Sequence, residues 1–170
     1  MHDLHQRPPY CNLSVLDPVG SFASLAPLVV NQISRVRLIS LKTHTDERGR
    51  LTAIEGESDI PFAIQRLFYV YGVADGGDRA GHAHPETEQC LIAVSGGLEV
   101  EVRSPNETKQ FQLDDAGVGL YVPPMLWVTL SKFTPGGVCL AAASTHYVPD
   151  DVIRDWNEYC RQAGEAVRAV

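Results

Sequence analysis

Between residues 34 and 142 the chain is a run of short segments rich in β-branched and aromatic residues, broken by turn residues roughly every 8–12 positions. That rhythm is the pattern of a β-sandwich or barrel. Extended segments are read at 35–41, 51–54, 63–71, 89–94, 98–102, 109–113, 118–122, 127–130 and 138–142. Turns are supplied by residues 46–49 (DERG) and 134–137 (TPGG), and Ser95-Gly96-Gly97 between two strands reads as a hairpin. Only the end looks helical. There Val152, Ile153, Trp156, Tyr159, Cys160 and Ala163 recur at helical spacing, with Asp150 or Asp151 placed to cap the start. Residues 1–30 read as a proline-rich arm, since Pro8, Pro9, Pro18 and Pro27 break any element. Residues 31–170 form one all-β domain closed by a helix over about 151–168.

Composition narrows the function classes. The 170 residues are 44 % hydrophobic and 21 % charged, a folded composition. A net charge of −7 argues against a protein that coats DNA or RNA, whose affinity is largely phosphate neutralisation. It leaves room for one anionic small molecule held by a few local arginines. The four cysteines are widely spaced with no CxxC pair, unlike a zinc ribbon or a disulfide-dense scaffold, so reduced thiols are expected. The longest mostly apolar run, 22–30, contains Pro27 and is too short to span a bilayer. The first twenty residues hold Asp3, Asp17 and three prolines, unlike a signal peptide. A cytoplasmic protein with no membrane or nucleic-acid partner is the expectation.

Of six histidines only His82 and His84 form a pair, and at i and i+2 on an extended segment both face the same side. Facing a lumen, they could bind a metal or exchange protons with a substrate. His44 and His146 read as ordinary surface residues, and His2 and His5 belong to the arm. Gly76, His82, His84, Gln89 and Gly96 resemble the first motif of the cupins, a jelly roll or double-stranded β-helix. In that motif a glutamate follows the histidines; here the position is Gln89. The second cupin motif is matched by Gly117 and Pro123, but its histidine is Val128. Glu88 is offset by one residue, which turns it to the other face of a strand. Two imidazoles and a neutral amide make a poor divalent-ion site, which usually takes three protein ligands. No metal and no cofactor are expected, and the histidines are read as proton-handling groups.

A closer resemblance runs through residues 34–160. The strings at 48–55 (RGRLTAIE), 60–69 (IPFAIQRLFY), 79–84 (RAGHAH), 118–122 (VGLYV), Trp127 and 153–156 (IRDW) occur in the order found in the dTDP-4-oxo-6-deoxyglucose 3,4-oxoisomerase family of WxcM-like cupins. The resemblance implies a metal-independent enzyme acting on a dTDP-linked 4-oxo-6-deoxyhexose. It also implies a homodimer whose chains exchange N-terminal strands. Moving a ketone from C4 to C3 needs a base near neutral pKa for the carbon proton, and a second group to move a proton between the two oxygens. His84 is expected as the carbon base and His82 as its partner, with Tyr69 matching a family tyrosine that hydrogen-bonds sugar oxygens. Arg48, Arg79 and Arg66 are the candidates for the pyrophosphate, which arginine grips better than lysine. Gln89 is expected to line the lumen, and Tyr121 and Trp127 to be core. The alternatives are a sugar-nucleotide epimerase, or a cupin that binds a nucleotide sugar without catalysis. Ala80 and Gly81 depart from the family, which usually has glycine first and a bulky residue second.

Overall fold

The computed structural model describes residues 32–149 and 152–168, so the expected arm lies outside the described residues. After a 3₁₀ turn over Gln32–Arg35 come eleven strands. They are β1 (Arg37–Ser40), β2 (Thr43–Asp46), β3 (Gly49–Thr52), β4 (Arg66–Tyr71), β5 (Arg79–Ala83), β6 (Gln89–Ser95), β7 (Leu98–Arg103), β8 (Thr108–Leu113), β9 (Val118–Val122), β10 (Trp127–Ser131) and β11 (Val138–Ala143). The helix α1 (Trp156–Arg168) follows. The strands form a five-stranded sheet in the order β1-β9-β6-β11-β4 and a four-stranded sheet in the order β5-β10-β7-β8, with β2 and β3 as a separate hairpin. Every ladder between these strands is antiparallel. This is the jelly-roll sandwich expected from the turn spacing.

Period-two alternation decides which side chains fill the interior. Leu91 and Ala93 on β6, Leu120 and Val122 on β9, and Cys139 and Ala141 on β11 pack against Val100 and Val102 of β7 and Val128 and Leu130 of β10. Each such aliphatic side chain contributes about 1.5–3 kcal/mol when fully buried. The residues between them face outward. On the five-stranded sheet Cys90, Ile92, Tyr121 and Ala142 form a second cluster, covered by Leu41, Ile60 and Phe62. On the four-stranded sheet Ala83 and Trp127 receive Tyr159, Cys160 and Ala163 of α1. Tyr121 and Trp127 are thus core residues, 1 % and 9 % exposed.

Three local expectations change. The Ser95-Gly96-Gly97 turn does not close a hairpin: β6 pairs with β9 and β11, while β7 pairs with β8 and β10. The turn carries the chain from one sheet to the other. Gly96 is required there, at φ 60°, because a Cβ would lie 2.4 Å from Thr134 Oγ1. The helix also starts later than residue 151. Ile153 is held in an antiparallel bridge to Ala83, which keeps its neighbourhood extended. Asp155 then caps α1, its Oδ1 accepting from the Glu158 amide at 2.8 Å. Cys90 and Cys139 are buried free thiols, and burial first of all pushes them up to about 12 and about 11. Cys160 is disulfide-bonded, which departs from the expectation of four reduced thiols.

Candidate active site

β5 is an edge strand, and its ladder to β10 carries an irregularity: Val128 pairs with His82, but Thr129 pairs with Ala80. Gly81 is the extra residue. Ala80 and Gly81 both have φ 66°, the left-handed conformation that a bulge of this kind uses. The bulge shifts the register just before the histidines, after which His82 pairs with Val128 and Ala83 with Trp127. Ala83 is fully buried beneath α1, so its two neighbours point the other way, into the sandwich interior shared with Val128.

There the imidazoles meet edge to face, with ring centroids 4.9 Å apart and their Nε2 atoms 3.2 Å apart. Burial first of all lowers the His82 pKa, a hydrogen bond to the Ala80 backbone opposes this, and the positive charge of Arg154 lowers it further. His82 is therefore neutral at pH 7.

The opposite wall comes from the five-stranded sheet. One cross-strand row runs from Val122 of β9 through Gln89 of β6 and Ala143 of β11 to Arg66 of β4. Gln89 is 6 % exposed and shares a face of β6 with Leu91. Arg66 has a guanidinium within 5.2 Å of the Phe68 ring centroid and 5.3 Å of the Tyr147 one. Its buried Nε has no hydrogen-bond partner among the described residues. A buried unpaired donor is costly, and this one is positioned to satisfy an arriving anion.

Other candidates fall elsewhere. Tyr69 is 64 % exposed and stacks on Tyr71, with ring centroids 5.6 Å apart. Phe68 and Val70 pack inward, so Tyr69 faces away from the histidines of its own chain. Arg48 sits at the tip of the β2–β3 hairpin, where Asp46 accepts hydrogen bonds from its backbone and side chain. Its side chain is 85 % exposed. Arg79 opens β5 opposite Leu130 and is exposed. Glu88 faces outward as expected, accepting a short hydrogen bond from the Tyr121 hydroxyl. Among the described residues no three His, Cys, Asp or Glu side chains converge as a metal site requires. Arg154 is the residue that sequence reasoning missed. Its motif string is visible in the chain, but its place beside β5 depends on the Ala83–Ile153 bridge.

A jelly roll of this topology, with a histidine pair and an arginine on its inward faces, has the fold of a cupin. The chain belongs to the FdtA family of WxcM-like, C-terminal domains, whose model matches residues 34–164. It is 34 % identical over 123 residues to a TDP-4-oxo-6-deoxy-alpha-D-glucose-3,4-oxoisomerase of Aneurinibacillus thermoaerophilus, covering 72 % of this chain and 88 % of that one. The crystal structure of QdtA, a sugar 3,4-ketoisomerase from Thermoanaerobacterium thermosaccharolyticum in complex with TDP, superposes with a TM-score of 0.75 at 38 % identity. That match covers 77 % of this chain and 96 % of QdtA. The rmlC epimerase of Mycobacterium tuberculosis, at 16 % identity and a TM-score of 0.60, shares the fold, covering 69 % of this chain and 66 % of its own.

Proposed function

We propose that this chain is a 3,4-ketoisomerase that moves the ketone of a TDP-linked 4-oxo-6-deoxyhexose from C4 to C3 in deoxyamino-sugar biosynthesis. The observation that carries the mechanism is the His82–His84 contact of 3.2 Å inside the sandwich. The C4 carbonyl acidifies the C3 proton, and a neutral imidazole removes it. The electron pair of the C3–H bond forms the C3–C4 double bond, and the carbonyl π pair moves to O4. The O3 proton passes to O4 through the second imidazole. Collapse of the enediolate then makes the C3 ketone, and the first imidazole returns its proton to C4. No atom is gained or lost.

Motif position assigns His84 to the carbon step, and His82, its partner at 3.2 Å, is the shuttle between O3 and O4. Arg66 is assigned to the diphosphate on the strength of its unpaired Nε, and Arg79 to the mouth of the same interior. Gln89 is assigned to holding the sugar or a histidine ring. No metal enters this scheme; Val128 and Gln89 stand where two ligands would be needed.

A homodimer with exchanged N-terminal strands is part of the proposal. Leu67, Tyr69 and Tyr71 are 59 %, 64 % and 65 % exposed along the edge strand β4, an apolar edge that a second copy would cover. Arg48, on its protruding hairpin, is the arginine such an exchange would bring to the partner. A cytoplasmic location belongs to the same reading, and among the described residues no helix is long and apolar enough to cross a membrane.

The test is to incubate the protein with TDP-4-oxo-6-deoxyglucose in deuterated water and follow C3, C4 and C5 by NMR. Ketone migration with label at C3 and C4, unaffected by chelator, is the expected result. Label at C5 would indicate an epimerase, and binding without exchange a non-catalytic cupin. His84→Asn is expected to abolish label uptake at carbon while nucleotide binding survives. His82→Asn is expected to slow ketone migration more than washout of the C3 proton.

A further inference from the structure

His82 and His84 are held by different backbone contacts. His82 pairs with Val128 inside the β5–β10 ladder, whose last pair is Ala83 with Trp127. His84 lies one residue beyond that pair, and its carbonyl accepts a hydrogen bond from the Met125 amide at 2.8 Å. Met125 belongs to the turn between β9 and β10 and has a φ of 58°, a left-handed conformation that a non-glycine residue rarely adopts. Such a conformation persists where its surroundings fix it from more than one side. The second contact comes from α1. The Tyr159 hydroxyl lies 2.9 Å from the Arg103 carbonyl oxygen at the end of β7 and 3.2 Å from the Met125 carbonyl oxygen, so its proton is shared between the two.

Tyr159 is fully buried in the first turn of α1, where its amide donates to the Asp155 carbonyl at 2.9 Å. Its ring packs against Trp127 and Trp156, with centroids 5.7 Å and 5.2 Å away. The Arg103 guanidinium covers Trp156 at 3.9 Å from the ring centroid. These contacts aim the hydroxyl at the two carbonyl oxygens. Phenylalanine would fill the same space without burying a polar group, so what the hydroxyl adds to the packing is direction.

We propose that Tyr159 is a positioning residue for the isomerisation: its hydroxyl fixes the Met125 peptide, whose amide fixes the His84 carbonyl and with it the direction in which the His84 side chain leaves the backbone. This rests on the assignment of His84 to the carbon step. Tyr159 acts from behind the strand. Ala83, between the two histidines, packs in the same cluster as Tyr159, while the imidazoles face the interior. The helix therefore reaches the base through two backbone groups and touches no substrate. A base that removes a carbon-bound proton must be held close to the productive geometry, and a directional contact at its own peptide does this.

The experiment compares Tyr159→Phe with Ala163→Gly, which loosens the same helix at a buried position without touching the hydroxyl. The readouts are kcat and KM for TDP-4-oxo-6-deoxyglucose, the His84 ring resonances and amide exchange at Met125, the last two in the ligand-free protein. In Tyr159→Phe kcat is expected to fall about five- to thirtyfold with KM held within about twofold, short of the roughly hundredfold loss that a misplacement of about 1 Å costs. The His84 ring resonances are expected to shift, and the Met125 amide to exchange about tenfold faster or more. Ala163→Gly is expected to lower the midpoint of urea unfolding and leave the other readouts unchanged. An unchanged Met125 amide and His84 ring in Tyr159→Phe, or an Ala163→Gly protein that loses as much kcat, would overturn the proposal. The ligand-free readouts separate this inference from the ketoisomerase reading: a shifted His84 ring and faster Met125 exchange in a protein that moves no ketone support the linkage and remove the reaction.

Discussion

Val128 lies directly across the β10–β5 ladder from His82, and both side chains face the sandwich interior. A valine there leaves the pair without a third imidazole and makes its wall apolar, which disfavours charge on His82. Val128→His is expected to create a three-histidine zinc site in place of the two-histidine pair. Zinc binding followed by competition with a chromophoric chelator should be far tighter in the variant than in the parent. Without metal the variant should lose about 1–3 kcal/mol for a buried polar group, read from urea unfolding. Equal zinc affinity in the two proteins would show that position 128 does not face the pair.

The lowered His82 pKa makes a signed statement about stability. The folded ring resists protonation, so the unfolded chain binds more protons as pH falls through the ordinary imidazole value of about 6.5. The contribution is fully present above that value and is lost as pH drops towards the folded one. Unfolding free energies at pH 7.5 and pH 5.5 should therefore fall more steeply with acid in the parent than in His82→Asn. Parallel pH dependences would refute the assignment.

Ala80 holds a left-handed φ of 66° in the bulge that presents the histidines. A left-handed non-glycine residue costs about 1–2 kcal/mol, while glycine costs about 0.5–1 kcal/mol in extra chain entropy. Ala80→Gly should thus gain up to about 1 kcal/mol in urea unfolding and leave the His82–His84 contact in place. A loss of stability would mean that the Ala80 methyl makes contacts outweighing the backbone strain.

Tyr69 points away from the histidines of its own chain. Tyr69→Phe should change kcat by no more than about twofold, as expected of a surface change of this size. A drop of several orders of magnitude would place its hydroxyl in the reaction, reaching a partner's site through the β4 edge.

Much of this protein is determined by local pattern. Period-two alternation and turn chemistry, which depend on near neighbours in the chain, were enough to read the strands, the sandwich class, the shared face of His82 and His84, the inward Gln89 and the outward Glu88. The same locality misled at Gly96, where a turn that looks like a hairpin passes between sheets, because pairing partners are chosen across the chain. At Tyr69 period two sends the side chain to the outer face of its own chain, which the motif string alone does not state. What only the tertiary structure decided is the electrostatic setting of the pair. Burial, the Ala80 carbonyl and Arg154 act on His82 from distances set by packing, and Arg154 arrives there only because Ile153, seventy residues along the chain, bridges Ala83. Charge interactions depend on separation in space and on local dielectric, and neither is written in the spacing of residues along a sequence.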